Sequence, residues 1–396
     1  MSSILLVDPN PLTLRKSRNH SNFPPIGLLK IATYLRDNGH KVKITKGTRK
    51  DINKLTREII PEEIWITSLF TYWAKYVREA VRSYREMFPS AWIKVGGIYA
   101  SLLPSSDVKE YTGCDEVHQG VIPEVEEHIM SHPLAYELCR HTDFQIVHAS
   151  RGCPRKCPFC GTWKIEPEFK PKSSIRDEIQ LPGVVFYDNN FLMNPHVENI
   201  LDELVGLRRE RKVKWVESQS GLDGRVLLKK PNLARMMKEA GFRYPRIAWD
   251  WGYEQNHYIE RQIDVLIKAG YKSRGIFVFM LYNWQIPFEE MERKRIKCWE
   301  WQVQIADCRF RPLNQLIDEY RPRSTGQTFE DYFISEGWDD ALVKQFRRNV
   351  RRQNICVRMR YCAYRKPSEP NSEEWAPESV SYPQSIAIDV TEGERE

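Results

Sequence analysis

Ser150-Arg151-Gly152-Cys153-Pro154-Arg155-Lys156-Cys157-Pro158-Phe159-Cys160-Gly161 is the stretch from which the rest of the chain is read. Its three cysteines are spaced C-x3-C-x2-C, close enough on one short loop to wrap one face of a small metal cluster. Thiolates are the usual ligands of iron–sulfur clusters. Arg151, Arg155 and Lys156 are expected to favour the thiolate form, and Gly152 and Gly161 permit a tight backbone path. No nearby residue completes a fourth position: His148 lies inside a strand segment, and the next cysteine is Cys298. A structural zinc site is closed by four protein ligands. Three ligands on a four-iron cluster leave one iron open, and an amino acid could chelate it through its nitrogen and carboxylate. A Cys3His zinc site and an unrelated cysteine loop are the weaker alternatives. With nine cysteines in all, an odd number, the crowding argues for metal ligation in a reducing compartment over disulfides.

Around this loop the hydrophobic pattern is a strand-helix alternation. Six apolar strand segments are expected at 144–149, 184–188, 214–217, 246–250, 275–281 and 303–307, the later ones about 30 residues apart, which is the size of one strand-helix unit. The clearest intervening helix runs over 195–208, with Asn194 as N-cap and Val197, Ile200, Leu201, Leu204 and Leu207 on one face. Six such units fit a partial (β/α)6 barrel of the TIM type, whose chemistry lies at the C-terminal strand ends. Those ends carry Asp188-Asn189, Glu217-Ser218-Gln219, Asp250 and Asp307.

Upstream, strands are expected at 4–8, 42–45, 64–69, 92–95 and 115–119, with helices at 25–38, 74–87 and 123–130. This is the pattern of a doubly wound, Rossmann-like parallel sheet. The fold class is therefore α/β: a domain over 1–132, a linker at 133–143, the barrel over 144–325, a basic helical extension at 326–366 and an acidic, disordered tail at 367–396.

Cys153-x3-Cys157-x-Phe159-Cys160 after the first strand of a partial barrel resembles the radical S-adenosylmethionine (SAM) superfamily. The resemblance covers about residues 144–310. It implies that Cys153, Cys157 and Cys160 hold a 4Fe–4S cluster whose open iron chelates SAM. It further implies one-electron cleavage of SAM to methionine and a 5′-deoxyadenosyl radical, with flavodoxin or ferredoxin as the kind of electron donor. Phe159 matches the aromatic that packs near the adenine in that family. Asp188 and Asn189, in Asp188-Asn189-Asn190-Phe191, resemble the family's element that holds the SAM amino group. Asp250 aligns with a fourth-strand acid of many relatives, and Gln219 and Arg225 are weaker SAM-facing candidates. The residues acting on the substrate are not named by the motif.

Pro24-Pro25-Ile26-Gly27 and Val95-Gly96-Gly97-Ile98 resemble the signposts of the cobalamin-binding domain that precedes many such barrels, with Gly96 and Gly97 at the ligand. The Asp-x-His-x-x-Gly motif of cobalamin mutases is absent. Cobalamin, and cobalamin-dependent methyl transfer, are thus among the outcomes the resemblance allows.

The net charge of +7 is concentrated late: 344–366 holds nine Lys/Arg and no Asp/Glu. The segment is read as a solvated helix face, with phosphate contact as the alternative. The substrate class stays open between a peptide, a small metabolite and nucleic acid. Cys298, Cys308, Cys356 and Cys362 form no tight pair, which argues against a second cluster. No stretch reaches the roughly 18 apolar residues of a membrane helix, and the N-terminus lacks a signal-peptide pattern; a cytoplasmic location without membrane contact is expected.

Overall fold

The structure, a computed structural model, describes residues 1–9, 23–47, 59–68, 71–139 and 142–360. Leu69, Cys362 and the tail at 367–396 lie outside the described residues.

The N-terminal half holds a five-stranded, wholly parallel sheet of β1 (Ser3–Asp8), β2 (Lys41–Lys46), β3 (Glu63–Ser68), β4 (Trp92–Gly97) and β5 (Glu116–Val117). Its order, β2-β1-β3-β4-β5, is that of a doubly wound sheet with its switch point beside β1 and β3. The period of two along β1 explains why both faces are covered. Ile4 and Leu6 pack with Leu28, Ala32 and Leu35 of the helix Ile26–Asp37, while Leu5 and Val7 pack on the other face with Val77, Val81 and Tyr84 of the helix Ala74–Met87.

All six strands expected downstream are present, in two further parallel sheets. β6 (Phe144–Val147), β9 (Gly183–Phe186) and β10 (Trp215–Ser218) form one; β11 (Arg246–Ala248), β12 (Phe277–Tyr282) and β13 (Gln304–Arg309) form the other. A short antiparallel pair, β7 (Ser150–Arg151) with β8 (Lys170–Pro171), follows β6. Parallel bridging of Leu222 with Ile247 links the two three-stranded sheets. One continuous core runs through both, from Val147 and Phe186 to Met280 and Ile305. It includes Phe346 and Val350 of the C-terminal helix (Asp340–Met359), so that helix belongs to the packing of these sheets.

Two local expectations change. The helix expected from 195 begins at Val197. Asn194 is buried and its amide donates to the Ala149 and Lys172 carbonyls at 2.8 and 3.0 Å, while its oxygen accepts the His196 N–H at 2.8 Å. The helix is preceded by His196 without a side-chain cap bond, and the side chain expected to cap it instead fastens the strand-end loop. On the C-terminal helix the cations divide. Lys344 turns inward, with Asp340 at 2.5 Å, and Arg347 faces Asp307 at 3.9 Å, whereas Arg348, Arg351, Arg352 and Arg358 are exposed.

Candidate functional site

The cysteine loop is anchored at its base by one carboxylate. Glu166 pairs with Arg151 and accepts the Gly152 N–H at 2.8 Å, closing the loop that starts at β7. Gly152 has φ +69°, and a Cβ there would lie 2.1 Å from the Glu168 carbonyl oxygen, so glycine is required. Farther along, Asp223 accepts from Arg155 at 2.7 Å and from Arg225 at 2.7 Å, and caps the helix Gly224–Lys229 by accepting the Arg225 N–H. The loop is thereby held to the segment that follows β10.

Cys153, Cys157 and Cys160 are partly buried free thiols. Cys153 Sγ accepts the Arg155 N–H at 3.4 Å, and Cys160 donates to the Thr162 hydroxyl at 3.3 Å, which donates onward to Asn189 Oδ1 at 3.0 Å. Burial is the largest cause and raises both the Cys153 and Cys157 thiols. At Cys153 the Arg155 N–H bond and then the Asn190 side chain lower it, with Cys160 raising it between them. At Cys157, Cys160, Asp250 and Cys153 add to the rise, while the Arg155 charge lowers it least. The expected thiolate-favouring effect of the basic residues is therefore outweighed. Arg151 is already engaged by Glu166 and by His148 at 3.1 Å. Among the described residues, no group of three His, Cys, Asp or Glu side chains is drawn together so as to hold a metal ion. The mutual charge effects place the three thiols near one another without gathering them on one point. A zinc ion needs all its ligands on itself, whereas a cluster's thiolates each take a separate iron.

Above the loop stands an aromatic wall. Phe159 meets Trp284 edge-on at 5.1 Å and Trp251 at 6.2 Å, and Trp284 contacts Phe310 at 6.0 Å. Trp251, Trp284 and Phe310 each follow the end of β11, β12 or β13. The buried Lys294 donates to the Trp249 and Trp251 carbonyls at 2.8 and 2.7 Å, fixing the turn that carries Asp250 and Trp251; burial lowers its pKa to about 8.

The other expected site residues separate. Asp188 is fully buried: its carboxylate accepts the Ala149 N–H at 2.9 Å and the Ser150 hydroxyl at 2.6 Å. Burial lifts its pKa to about 6. Asp250 is likewise pushed up to about 6 by burial, against Lys294 and Arg225. Glu217 lies 3.7 Å from Arg246. Phe159, Asn189, Gln219, Gly96 and Gly97 all line one large cavity, as does Asp307.

That cavity, about 1120 Å³, is walled by both halves of the chain. It exceeds the roughly 300–1,000 Å³ typical of a single small-molecule site. One side is the C-terminal edge of the five-stranded sheet, including Thr67, Ser68, Gly96 and Gly97; the other is built from the rim of the cysteine loop and the ends of β9, β10, β12 and β13. Gly97 has φ +93°, and a Cβ there would sit 2.5 Å from the Ser68 carbonyl oxygen. His118, after β5, also lines it and keeps its imidazole Nε2 buried without a hydrogen-bond partner.

Sequence reasoning missed Asn190 and the aromatic wall. Asn190 is buried, hydrogen-bonds the Cys153 thiol and leaves its Oδ1 without a partner. The repeated aromatic after a strand end was the available signal for the wall. Of the four strand-end carboxylates expected at one mouth, only Asp307 lines the cavity.

No protein-family model matches the chain. An uncharacterized methyltransferase of Pyrococcus horikoshii is 23% identical over 300 residues, which cover 60% of this chain and 63% of that protein. The match thus spans less than two thirds of the relative's length. Among the described residues, no helix is long and apolar enough to cross a membrane.

Proposed function

We propose that this chain is a radical SAM enzyme that transfers a methyl group, with its two three-stranded sheets acting as one partial barrel. The observation that carries the reading is the shared cavity: the rim of a C-x3-C-x2-C loop and the Gly96-Gly97 edge of a doubly wound sheet open into the same space. The methyltransferase designation of the distant Pyrococcus horikoshii relative agrees with it.

Cys153, Cys157 and Cys160 would hold a 4Fe–4S cluster, and the donor set fits: three thiols on one loop, no fourth cysteine on that loop, and positive charge from Arg155 beside them. The chemistry such a cluster supplies is one-electron cleavage of SAM. The chain's own residues then bind and orient. The free Asn190 Oδ1 beside Cys153 is an acceptor fitted to an ammonium group, the part first assigned to Asp188, whose oxygens are occupied by the backbone and Ser150. Phe159, Trp251 and Trp284 offer stacking faces for a nucleobase and exclude water. Asn189 and Gln219 line the space beyond. On the opposite wall, Gly27, Gly96, Gly97 and Gly120 present backbone without side chains, and His118 presents an unpaired nitrogen, a surface that fits a broad, flat ligand such as cobalamin.

Anaerobic reconstitution with iron and sulfide tests this. The expected result is a broad visible absorbance, an EPR signal on reduction and 5′-deoxyadenosine formation from SAM, all lost in Cys157→Ala. Zinc bound at one per chain without iron or sulfide, or 5′-deoxyadenosine still formed by Cys157→Ala, would overturn the proposal. Added hydroxocobalamin tests the second wall by its own spectrum.

A further inference from the structure

The wall of the cavity formed by the end of β13 is unusually rich in guanidinium groups. Arg309, Arg311 and Arg347 all line it. Two of them share one carboxylate: Asp318 accepts from Arg309 Nη2 at 2.8 Å and from Arg311 Nε, and it also takes the Tyr320 N–H at 3.1 Å. Arg347 stands 3.9 Å from Asp307, beyond hydrogen-bonding reach. Three cations therefore face two acids.

Arg309 is the telling residue. It is only 7% exposed, yet its Nε and Nη1 have no hydrogen-bond partner. Tyr320 and Tyr332 lie over the guanidinium at 4.4 and 4.9 Å. Ring faces offset positive charge but are weak acceptors for N–H groups. Asp318 already takes three donors. A buried guanidinium with an unused pair of donors, Nε and Nη1, has an unmet demand for an acceptor. Carboxylate and phosphate oxygens are the groups that best meet it.

The position gives this demand a purpose. Phe310, between Arg309 and Arg311, contacts Trp284, which packs on Phe159 of the cysteine loop. Tyr72, from the N-terminal half, covers Arg311 at 4.3 Å, so the wall is enclosed from both sides. An anionic group held here would place the attached carbon skeleton along the aromatic wall leading to the cysteines.

We infer that Arg309, with Arg347, seats an oxyanion group of the substrate, making the substrate a small molecule that carries a carboxylate or phosphate. That the anion belongs to a substrate rests on the function proposed above; the anion seat itself does not. One enclosed guanidinium site suits a single anionic group, whereas a polyanionic strand needs a row of exposed cations such as Arg348, Arg351 and Arg352 on the outer face of the C-terminal helix.

Calorimetric titration of the full-length chain, anaerobically reconstituted with iron and sulfide, with inorganic phosphate, with succinate and separately with SAM tests this. Either anion should bind at one site per chain, and whichever binds more tightly identifies the group. Arg309→Gln and Arg347→Gln should each weaken that binding by about tenfold or more, as loss of a charge-assisted bond requires, and leave SAM affinity unchanged. Arg347 is partly exposed on a surface helix, so Arg347→Gln keeps the test open if Arg309→Gln does not fold. The inference is overturned if neither anion binds, if both folded variants bind like the parent, or if the variants lose SAM and keep the anion. A reconstituted parent chain that binds the anion but not SAM would instead overturn the proposed function and leave the anion seat standing.

Discussion

Asp188→Asn is expected to stabilise this protein at neutral pH and to do almost nothing in mild acid. Asp188 is fully buried, and burial raises its pKa to about 6 even though the Ser150 hydroxyl, the Ala149 N–H and the Ser150 N–H all donate to its carboxylate. In the unfolded chain the same group titrates near about 3.9. The folded state therefore binds this proton more tightly than the unfolded state. Below about pH 4 both states are protonated and the contribution is fully present; it is lost as pH rises to about 6. Two pKa units at roughly 1.4 kcal/mol each give about 3 kcal/mol. Asp250, also raised to about 6, adds to the parent's pH dependence, so the parent curve alone cannot isolate Asp188. The difference between parent and variant can. Asparagine keeps one oxygen for the Ala149 N–H, and its amide can donate to the Ser150 hydroxyl, so these two bonds survive. Urea unfolding of the metal-free chain near pH 4 and near pH 7.5 should show a gap that opens from close to zero to about 3 kcal/mol in favour of the variant, with an unchanged m-value. A parent-to-variant difference of the same size at both pH values would refute the account of Asp188 as an ionised group held against its burial.

Two other substitutions probe the frame of the site. Gly97→Ala introduces a side chain at φ +93° and 2.5 Å from the Ser68 carbonyl oxygen; unfolding free energy should fall by about 1–3 kcal/mol in chemical denaturation, and hydroxocobalamin binding, where present, should weaken with it. Arg295→Met leaves the buried Glu292 without the guanidinium that binds both its oxygens, and removes the 2.7 Å bond to Gln353 on the C-terminal helix; a loss of about 3–5 kcal/mol is expected, with much of it recovered when Glu292→Met is added.

The cysteine loop and the strands around it were legible because their signals are local. Spacing alone defines C-x3-C-x2-C, and strand-like runs of four to seven residues mark β6 and β9 to β13 wherever the bordering residues are polar or turn-forming. The five-stranded sheet was legible for the same reason. The assignments that changed depend on long-range partners. Asn194 reads as a helix cap until Ala149 and Lys172 supply carbonyls from far upstream, and Asp188 reads as a pocket carboxylate until Ala149 and Ser150 enclose it. Arg309 gave no signal, because its unused donors exist only relative to Asp318, Tyr320 and Tyr332. A sequence marks which residue ends a strand; it does not mark which way that side chain finds its partner.

The cavity's two sides are fastened to different hydrophobic cores, and what joins them near Arg311 is light: the cation–π contact with Tyr72, an ion pair of Lys75 with Glu319 at 3.8 Å, and Leu316 resting on the N-terminal core. A small tilt of one core against the other would alter the width of the chamber without breaking the packing inside either. The width of the chamber is then open to tuning by surface residues such as Lys75 and Glu319, remote from any reacting atom.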